Sequence, residues 1–325
     1  MLNTYAAVLE SAFPEREIGM MRPTLLNNAV RFATSTPQTF TDLVTPGITR
    51  TEPLQIPVNT LQANVSISWG LSANDFGLKV YDPDNALLGQ SNYLNLPGLT
   101  GRFESVVLRN PAPQTVRASM QHSGFVGTQQ NVYGSVEVTQ AIYPNLGDMN
   151  SLSPQMTAEV QRSMLSNVIL PMGKRFAPTM PMSRFDMAAA FVRAGLVPQY
   201  LASSPMFPDA RDVTTRNAVE SCQTNPTGKL FYDASAGGYF YPNNTVTRLA
   251  AAIAFVKAAG LEGETYNATL PLSATDAGSI PSQYRGYVAV AINHGFLNWD
   301  GRKIDPYRGV TRLDAVVAFN RILGN

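Results

Sequence analysis

Hydrophobic and polar residues alternate with two different periods along this chain. Over residues 51–141 the period is two. In NVSISWG the residues Val65, Ile67 and Trp69 share one face, and Leu78 and Val80 do so in GLKVYDP. Turn-forming stretches such as PDN and NPAP separate the alternating segments. Several short strands at this spacing predict an antiparallel β-sandwich of the jelly-roll type.

From residue 142 onward the period is that of an α-helix. Phe185, Ala188 and Val192 share one helical face, and the same apolar stripe starts again at Leu249 and at Leu313. Further helices are predicted in TAEVQRSMLSNVIL, in YRGYVAVAINHGF and, shorter and followed by an extra loop, in the segment that begins TTRNAVESC. The expected fold is therefore α+β and multidomain. It comprises an N-terminal helix with a connecting segment (1–50), the sandwich (51–141) and an all-α domain (142–325).

The helical part contains an internal repeat with a step of 64 residues, from 184 to 248 and from 248 to 312. Five columns are identical in all three copies: Gly173, Gly237 and Gly301; Pro178, Pro242 and Pro306; Arg184, Arg248 and Arg312; Ala190, Ala254 and Ala318; Phe191, Phe255 and Phe319. The same step also aligns Asp148, Asp212 and Asp276. One such unit cannot bury its apolar stripe alone, so we expect units 142–206, 207–270 and 271–325 to pack together with pseudo-threefold symmetry.

Each repeat helix is predicted to begin in the same way. Ser183, Thr247 and Thr311 are candidate N-caps, since a hydroxyl can accept a hydrogen bond from a free backbone amide at a helix start. An arginine follows each cap, although positive charge is mildly unfavourable at that end of a helix. The arginines and the free amides could together hold an anion. Alternatively, the arginines could bond carboxylates of the neighbouring unit and lock the repeats together.

These units resemble the S-layer homology repeat. The resemblance rests on the Thr-Arg motifs MSRFD (182–186), VTRLA (246–250) and VTRLD (310–314), and on FPDARD (207–212) as the start of a unit. It implies an exported protein that is anchored to acidic cell-wall polysaccharide. The glycan-binding candidates are Arg184, Arg248 and Arg312 with the caps Ser183, Thr247 and Thr311. The middle site is expected to suit an anion best, because Ala250 replaces the acid found at Asp186 and Asp314.

The first half resembles the accessory β-sandwich that follows the catalytic domain of many secreted subtilisin-like proteases. The matching stretch is ISWGLSANDFGLKVYDPDNALLGQSN, and MLNTYAAVLESAF is similar to the last helix of such a catalytic domain. The first 13 residues lack the basic start and the apolar core of a signal peptide. We therefore expect either a piece of a longer precursor, or a chain that starts at Met1 and stays inside the cell. Asp75, Asp82 and Asp84 are candidate calcium ligands, although such residues also form ordinary turns.

Composition narrows the range of functions. The net charge of +1, without a basic run, gives no indication of nucleic-acid binding, and no apolar run is long enough to span a membrane. Only two histidines, His122 and His294, and one cysteine, Cys222, are present, and none stands in a catalytic motif. We interpret them as a strand-end or loop residue, a helix-end residue and a small core or loop residue.

The expected function is thus that of a non-catalytic accessory region of a subtilisin-like protease precursor, outside the cytoplasm or at the cell surface. Its expected partner is wall polysaccharide, and no cofactor is required. The alternative is a structural subunit that assembles with copies of itself into a surface layer or filament. A glycan-cleaving enzyme is the third possibility, but the sequence shows no distinctive pair of acids.

Overall fold

The computed structural model describes residues 7–8, 11–12, 29–93, 102–122 and 128–324. The chain divides into two compact units, one built on residues 30–142 and the other on residues 143–324. The fold class is α+β, as predicted, with two antiparallel sheets and six α-helices in the described residues. The predicted N-terminal helix lies mostly outside the described residues, although residues 7–8 and 11–12 are helical.

The described residues of the first unit form nine strands in two sheets. Their bounds are β1 Arg31–Thr34, β2 Gln38–Val44, β3 Thr49–Ile56, β4 Thr60–Trp69, β5 Phe76–Tyr81, β6 Leu87–Ser91, β7 Phe103–Arg109, β8 Gln114–His122 and β9 Gln130–Ile142. In one sheet β1 and β2 both pair with β9, which is followed by β4 and β7; the other sheet has the order β3-β8-β5-β6. From β2 onward, consecutive strands lie in opposite sheets except at the β5–β6 hairpin. This is the strand order of a jelly roll.

The alternation seen in the sequence accounts for the core of the first unit. Val65, Ile67 and Trp69 of β4 are buried, and so are Leu78 and Val80 of β5. The apolar side chains of the two inner faces pack against each other and hold the two sheets together. Each Å² of apolar surface buried in this way stabilises the fold by about 25 cal/mol.

The structure differs from the prediction at β1 and β2, which lie within the predicted connecting segment. Both strands are mostly exposed, and β2 reads QTFTDLV, so neither has a clear apolar face. Their place in the fold depends on pairing with β9. Phe40 packs where a side chain at Gly134 would otherwise stand, since a Cβ there would come within 1.9 Å of the Phe40 ring.

The described residues of the second unit contain six α-helices: α1 Pro154–Leu165, α2 Arg184–Arg193, α3 Val213–Gln223, α4 Arg248–Ala258, α5 Arg285–Asn293 and α6 Arg312–Ile322. As predicted, a helix begins at each repeated arginine. The glycines Gly195, Gly260 and Gly324, which follow α2, α4 and α6, all have positive φ and fit the predicted helix ends.

Side chains at the same repeat position meet each other in this unit. The ring centroids of Phe191, Phe255 and Phe319 are 5.6 Å apart for the first pair, 5.3 Å for the second, and 4.9 Å between the first and the last. Since all three pairs are in contact, the three repeat helices converge on one shared centre.

The backbone also closes the three repeats into a ring. Met182 N donates to Val310 O at 2.8 Å, Val310 N donates to Val246 O at 2.9 Å, and Val246 N donates to Met182 O at 3.0 Å. Each repeat therefore bonds to both of the others. This pattern agrees with the predicted pseudo-threefold packing and differs from a linear stack.

In the aspartate column, the 64-residue step aligns residues that do not have the same role in the structure. Asp148 accepts the amides of residues 176 and 177, and Asp276 accepts the amides of residues 304 and 305, in both cases across 28 residues and more. In the middle repeat Asp209 makes the matching pair of bonds, across 31 and 32 residues. Asp212 instead caps α3 by accepting from Thr215 N. The middle repeat has three extra residues between its aspartate and the amides that the aspartate binds. Asp209 therefore stands three positions before the residue that the 64-residue step aligns.

Candidate anion-binding site at the repeat junctions

The three predicted cap residues are N-caps. The hydroxyls of Ser183, Thr247 and Thr311 accept the amide of the third helical residue at 3.0, 3.2 and 3.1 Å. Thr311 also forms a capping box with Asp314. These hydroxyls thus serve their own helices, as the cap prediction required.

The first amides of these helices, however, are not free. In α4, Arg248 N donates to Arg308 O and Leu249 N donates to Pro306 O, at 2.9 and 2.8 Å. The first two amides of α2 and of α6 have equivalent partners, in the second and the first repeat respectively. The expectation that an anion would find free helix amides is therefore wrong, because carbonyls of the next repeat already occupy them.

The three arginines reach in the same way into the next repeat. The Nε atoms of Arg184, Arg248 and Arg312 donate to the carbonyls of Phe240, Ile304 and Phe176 at 2.8, 2.6 and 2.7 Å. The side chains are buried, and the residues are only 6%, 2% and 3% exposed. Each arginine therefore links its own repeat to the next one in the ring.

Arg184 is fully compensated. Its Nη1 and Nη2 donate to the two carboxylate oxygens of Asp233 at 2.8 and 3.0 Å, and its guanidinium lies over the rings of Phe231 and Phe240. A forked pair of this kind is strong and directional. An additional anion would have to compete with Asp233.

Arg312 and Arg248 lack such a carboxylate: among the described residues no acid lies within ion-pair distance of either guanidinium. Arg312 Nη2 donates to Leu170 O, and its guanidinium lies 5.0 Å from the Phe176 ring centroid. Burial lowers the pKa of Arg312, while the charges of Asp186 and Asp148 act in the opposite direction. This arginine is held by carbonyls and a ring.

Arg248 is the least compensated of the three. Its Nη2 donates to Asn298 O, but its Nη1 is buried and has no hydrogen-bond partner in the described part of the chain. Burial lowers the pKa of Arg248, and the nearby charge of Arg308 lowers it further, against the effect of Asp314, Asp305 and Asp276. A buried cationic donor without an acceptor is costly and calls for an explanation.

A second buried donor without a partner belongs to the residue that follows Asn298 in the chain. Trp299 directly follows Asn298, whose carbonyl Arg248 binds, and the indole Nε1 of Trp299 is buried without an acceptor among the described residues. The link between the second and third repeats therefore has one unused charged donor on Arg248, and the residue next to its acceptor Asn298 has a second, neutral one. Both would be satisfied by the oxygens of a bound anion or by water.

Sequence reasoning missed Asp233, Asp209 and Trp299. Nothing in the repeat marks Asp233, since the same step places Ile169 and Leu297 at the matching positions. Asp209 belongs to the FPD triplet that marks the start of a unit, but the 64-residue step from Asp148 leads to Asp212 instead.

The remaining candidates lie at strand ends, at a helix end, in a turn or in the core. His122 ends β8, His294 is the C-cap of α5, and Cys222 is buried in α3, as interpreted from the sequence. Asp82 Oδ1 accepts Ala86 N in a turn after β5. Among the described residues, no three His, Cys, Asp or Glu side chains come together as a metal site. Calcium binding by Asp75, Asp82 or Asp84 remains a prediction.

No protein-family model matches the chain, and no curated protein matches it. Solved structures that are similar include the pre-peptidase C-terminal domain of collagenase from Bacillus anthracis (8% identity, 30% of this chain and 87% of that chain, TM-score 0.25). Others are the disulfide-linked pili of Bacillus endospore appendages (7%, 35% and 90%, 0.25) and a serine protease of Aeromonas sobria (10%, 34% and 27%, 0.23). Matches with TM-scores this low carry no argument about function. Within the described residues, no helix is long and apolar enough to cross a membrane.

Proposed function

We propose that this chain is a non-catalytic, extracytoplasmic accessory region of a subtilisin-like protease precursor. In this proposal three repeats of the S-layer homology type attach it to the cell envelope by binding an acidic wall polysaccharide. The closed ring of repeats supports the comparison with that family, and the jelly-roll strand order supports the comparison with a protease accessory sandwich.

The observation that carries the binding proposal is the pair of unused donors at the junction of the second and third repeats. Arg248 is 2% exposed, and its Nη1 has no partner among the described residues. A carboxylate of a polysaccharide could accept from Arg248 Nη1 and from Trp299 Nε1. A charge-assisted hydrogen bond contributes about 1.5–3 kcal/mol.

The three arginines then have different roles. Arg184 and Arg312 are internal links between repeats: Asp233 accepts both terminal nitrogens of Arg184, and backbone carbonyls accept the Nε and Nη2 of Arg312. Arg248 is a link through Nε and Nη2 and a binding group through Nη1. Of the two roles considered from the sequence, locking the repeats together therefore applies to all three arginines, and anion binding applies to Arg248 alone.

Trp299→Phe is the sharpest test, because it removes the Nε1 donor and breaks no hydrogen bond that the structure shows. Binding would be measured by co-sedimentation with bacterial cell walls, intact or stripped of their acidic polysaccharide. We expect the parent to bind intact walls only and the variant to bind at least several-fold more weakly, with an unchanged melting temperature. Trp69→Phe is the matched control: its Nε1 donates to Asn74 O at 2.9 Å in the sandwich, so it should lower stability but not binding.

Arg248→Lys, compared with Arg184→Lys and Arg312→Lys, supplies the second arm. Lysine keeps the charge but loses the guanidinium fork, so all three variants should lose some stability. Only Arg248→Lys should also lose wall binding. Equal binding by the three folded variants would contradict the proposal. Ordered polymers without wall material, seen by light scattering, would favour the structural-subunit alternative.

A further inference from the structure

The outer face of the five-stranded sheet in the first unit contains a shallow groove. Its volume is about 600 Å³, and serine, threonine and two exposed aromatic residues line most of it. Tyr133 is 54% exposed and Phe103 is 61% exposed. This groove has no part in the proposed anion site, which belongs to the other unit.

Strand register arranges these residues in rows across the sheet. Thr41 pairs with Tyr133, Tyr133 with Ser68, and Ser68 with Phe103. The next row contains Ser135 and Ser66, whose hydroxyl oxygens are 3.0 Å apart. Because Tyr133 and Phe103 lie on strands two spacings apart, their backbones are about 10 Å apart. On this face, Tyr133 of β9 and Phe103 of β7 therefore lie on opposite sides of Ser66 and Ser68 of β4.

The chemistry of the groove selects against most classes of ligand. None of the described residues that line it is charged, so it offers nothing to a phosphate backbone or to an acidic glycan. The lining hydroxyls can both donate and accept, which suits a ligand that is itself rich in hydroxyls. Exposed aromatic rings suit the apolar face of a sugar ring. The separation of about 10 Å between their backbones is comparable to that of alternate pyranose rings in an extended β-1,4-linked chain.

From these observations we infer that the outer face of this sheet binds a neutral β-1,4-linked polysaccharide, which lies across β9, β4 and β7. Tyr133 and Phe103 stack on alternate sugar rings, and Ser66, Ser68 and Ser135 bind the hydroxyls between them. This site is separate from the acidic-polysaccharide site, and either could exist without the other.

Isothermal titration of the full chain with cellohexaose and with N-acetylchitohexaose tests this inference. We expect at least one probe to bind, and Tyr133→Ala and Phe103→Ala each to weaken its binding about two- to twelvefold, the range of one aromatic contact. Both side chains are more than half exposed, so the variants should fold, which circular dichroism would verify. The matched control is Tyr266→Ala, which removes an 88% exposed tyrosine from the other unit and should change nothing.

Three results would overturn the inference: no binding of either probe at millimolar concentration, equal affinities for parent and variants, or a parent dimer that both variants abolish. The last would show that a second copy covers this face. Wall binding that depends on Arg248 and Trp299 would be unaffected by any of them, so the two proposals fail separately.

Discussion

Replacing Asp276 with asparagine tests whether the carboxylate contacts between distant parts of the chain hold each repeat together. Asp276 accepts Ile304 N at 2.9 Å and Asp305 N at 2.7 Å across 28 and 29 residues of chain, and Asp305 has a φ of 51°. Each charge-assisted bond contributes about 1.5–3 kcal/mol, and partial exposure favours the lower end. Asparagine keeps one acceptor but turns its NH₂ towards the other amide. We therefore expect the free energy of unfolding to fall by about 2 kcal/mol.

Urea unfolding in a Trp69→Phe background provides the assay, since Trp299 is then the only tryptophan and its emission reports the helical unit. Asp300→Asn is the matched control. Asp300 also accepts two amides, both at 2.8 Å, but only from Arg302 and Lys303 within one exposed turn. Its replacement should change the stability much less.

The pH dependence gives a second readout of the same contact. Burial alone would raise the pKa of Asp276, but the amides of Ile304 and Asp305 outweigh it and the pKa is lowered. A carboxyl whose pKa is lower in the folded state stabilises the protein above its unfolded pKa, about 3.9. That stabilisation is lost as the pH falls through the folded pKa. The gap between parent and Asp276→Asn should therefore be largest near neutral pH and shrink below about pH 4. A gap that matches Asp300→Asn, or that is the same at pH 7 and pH 3, would refute this reasoning.

Four further outcomes are expected. Phe255→Ala should lower the unfolding free energy of the helical unit by about 3–5 kcal/mol in urea titrations, because it removes one of three rings at the shared centre. Gly134→Ala should destabilise the sandwich by about 1–3 kcal/mol in thermal melts, since the new Cβ would overlap the Phe40 ring. Cys222 should resist iodoacetamide at pH 8 until urea is added, because burial raises the pKa of its thiol. Casein hydrolysis by the pure chain should show no component that is sensitive to a serine-protease inhibitor.

The sequence by itself determined the elements whose signals are local. An N-cap hydroxyl bonds an amide three residues away, so Ser183, Thr247 and Thr311 could be identified without any knowledge of their neighbours. The central strands could also be predicted locally, because buried and more exposed residues alternate along β4 and leave a period-two pattern in the sequence.

Only the tertiary structure decided which distant groups meet. Edge strands β1 and β2 have little apolar pattern because a partner strand, rather than a buried face, fixes their place. The repeat identified three equivalent arginines but not their acceptors. These lie in another repeat, 49 to 56 residues away for Arg184 and Arg248, and across the closing contact of the ring for Arg312. Closing the ring brings together backbones that are similar in the three repeats, but side chains that differ between them. For this reason Arg184 meets Asp233, whereas Arg248 keeps an unused donor.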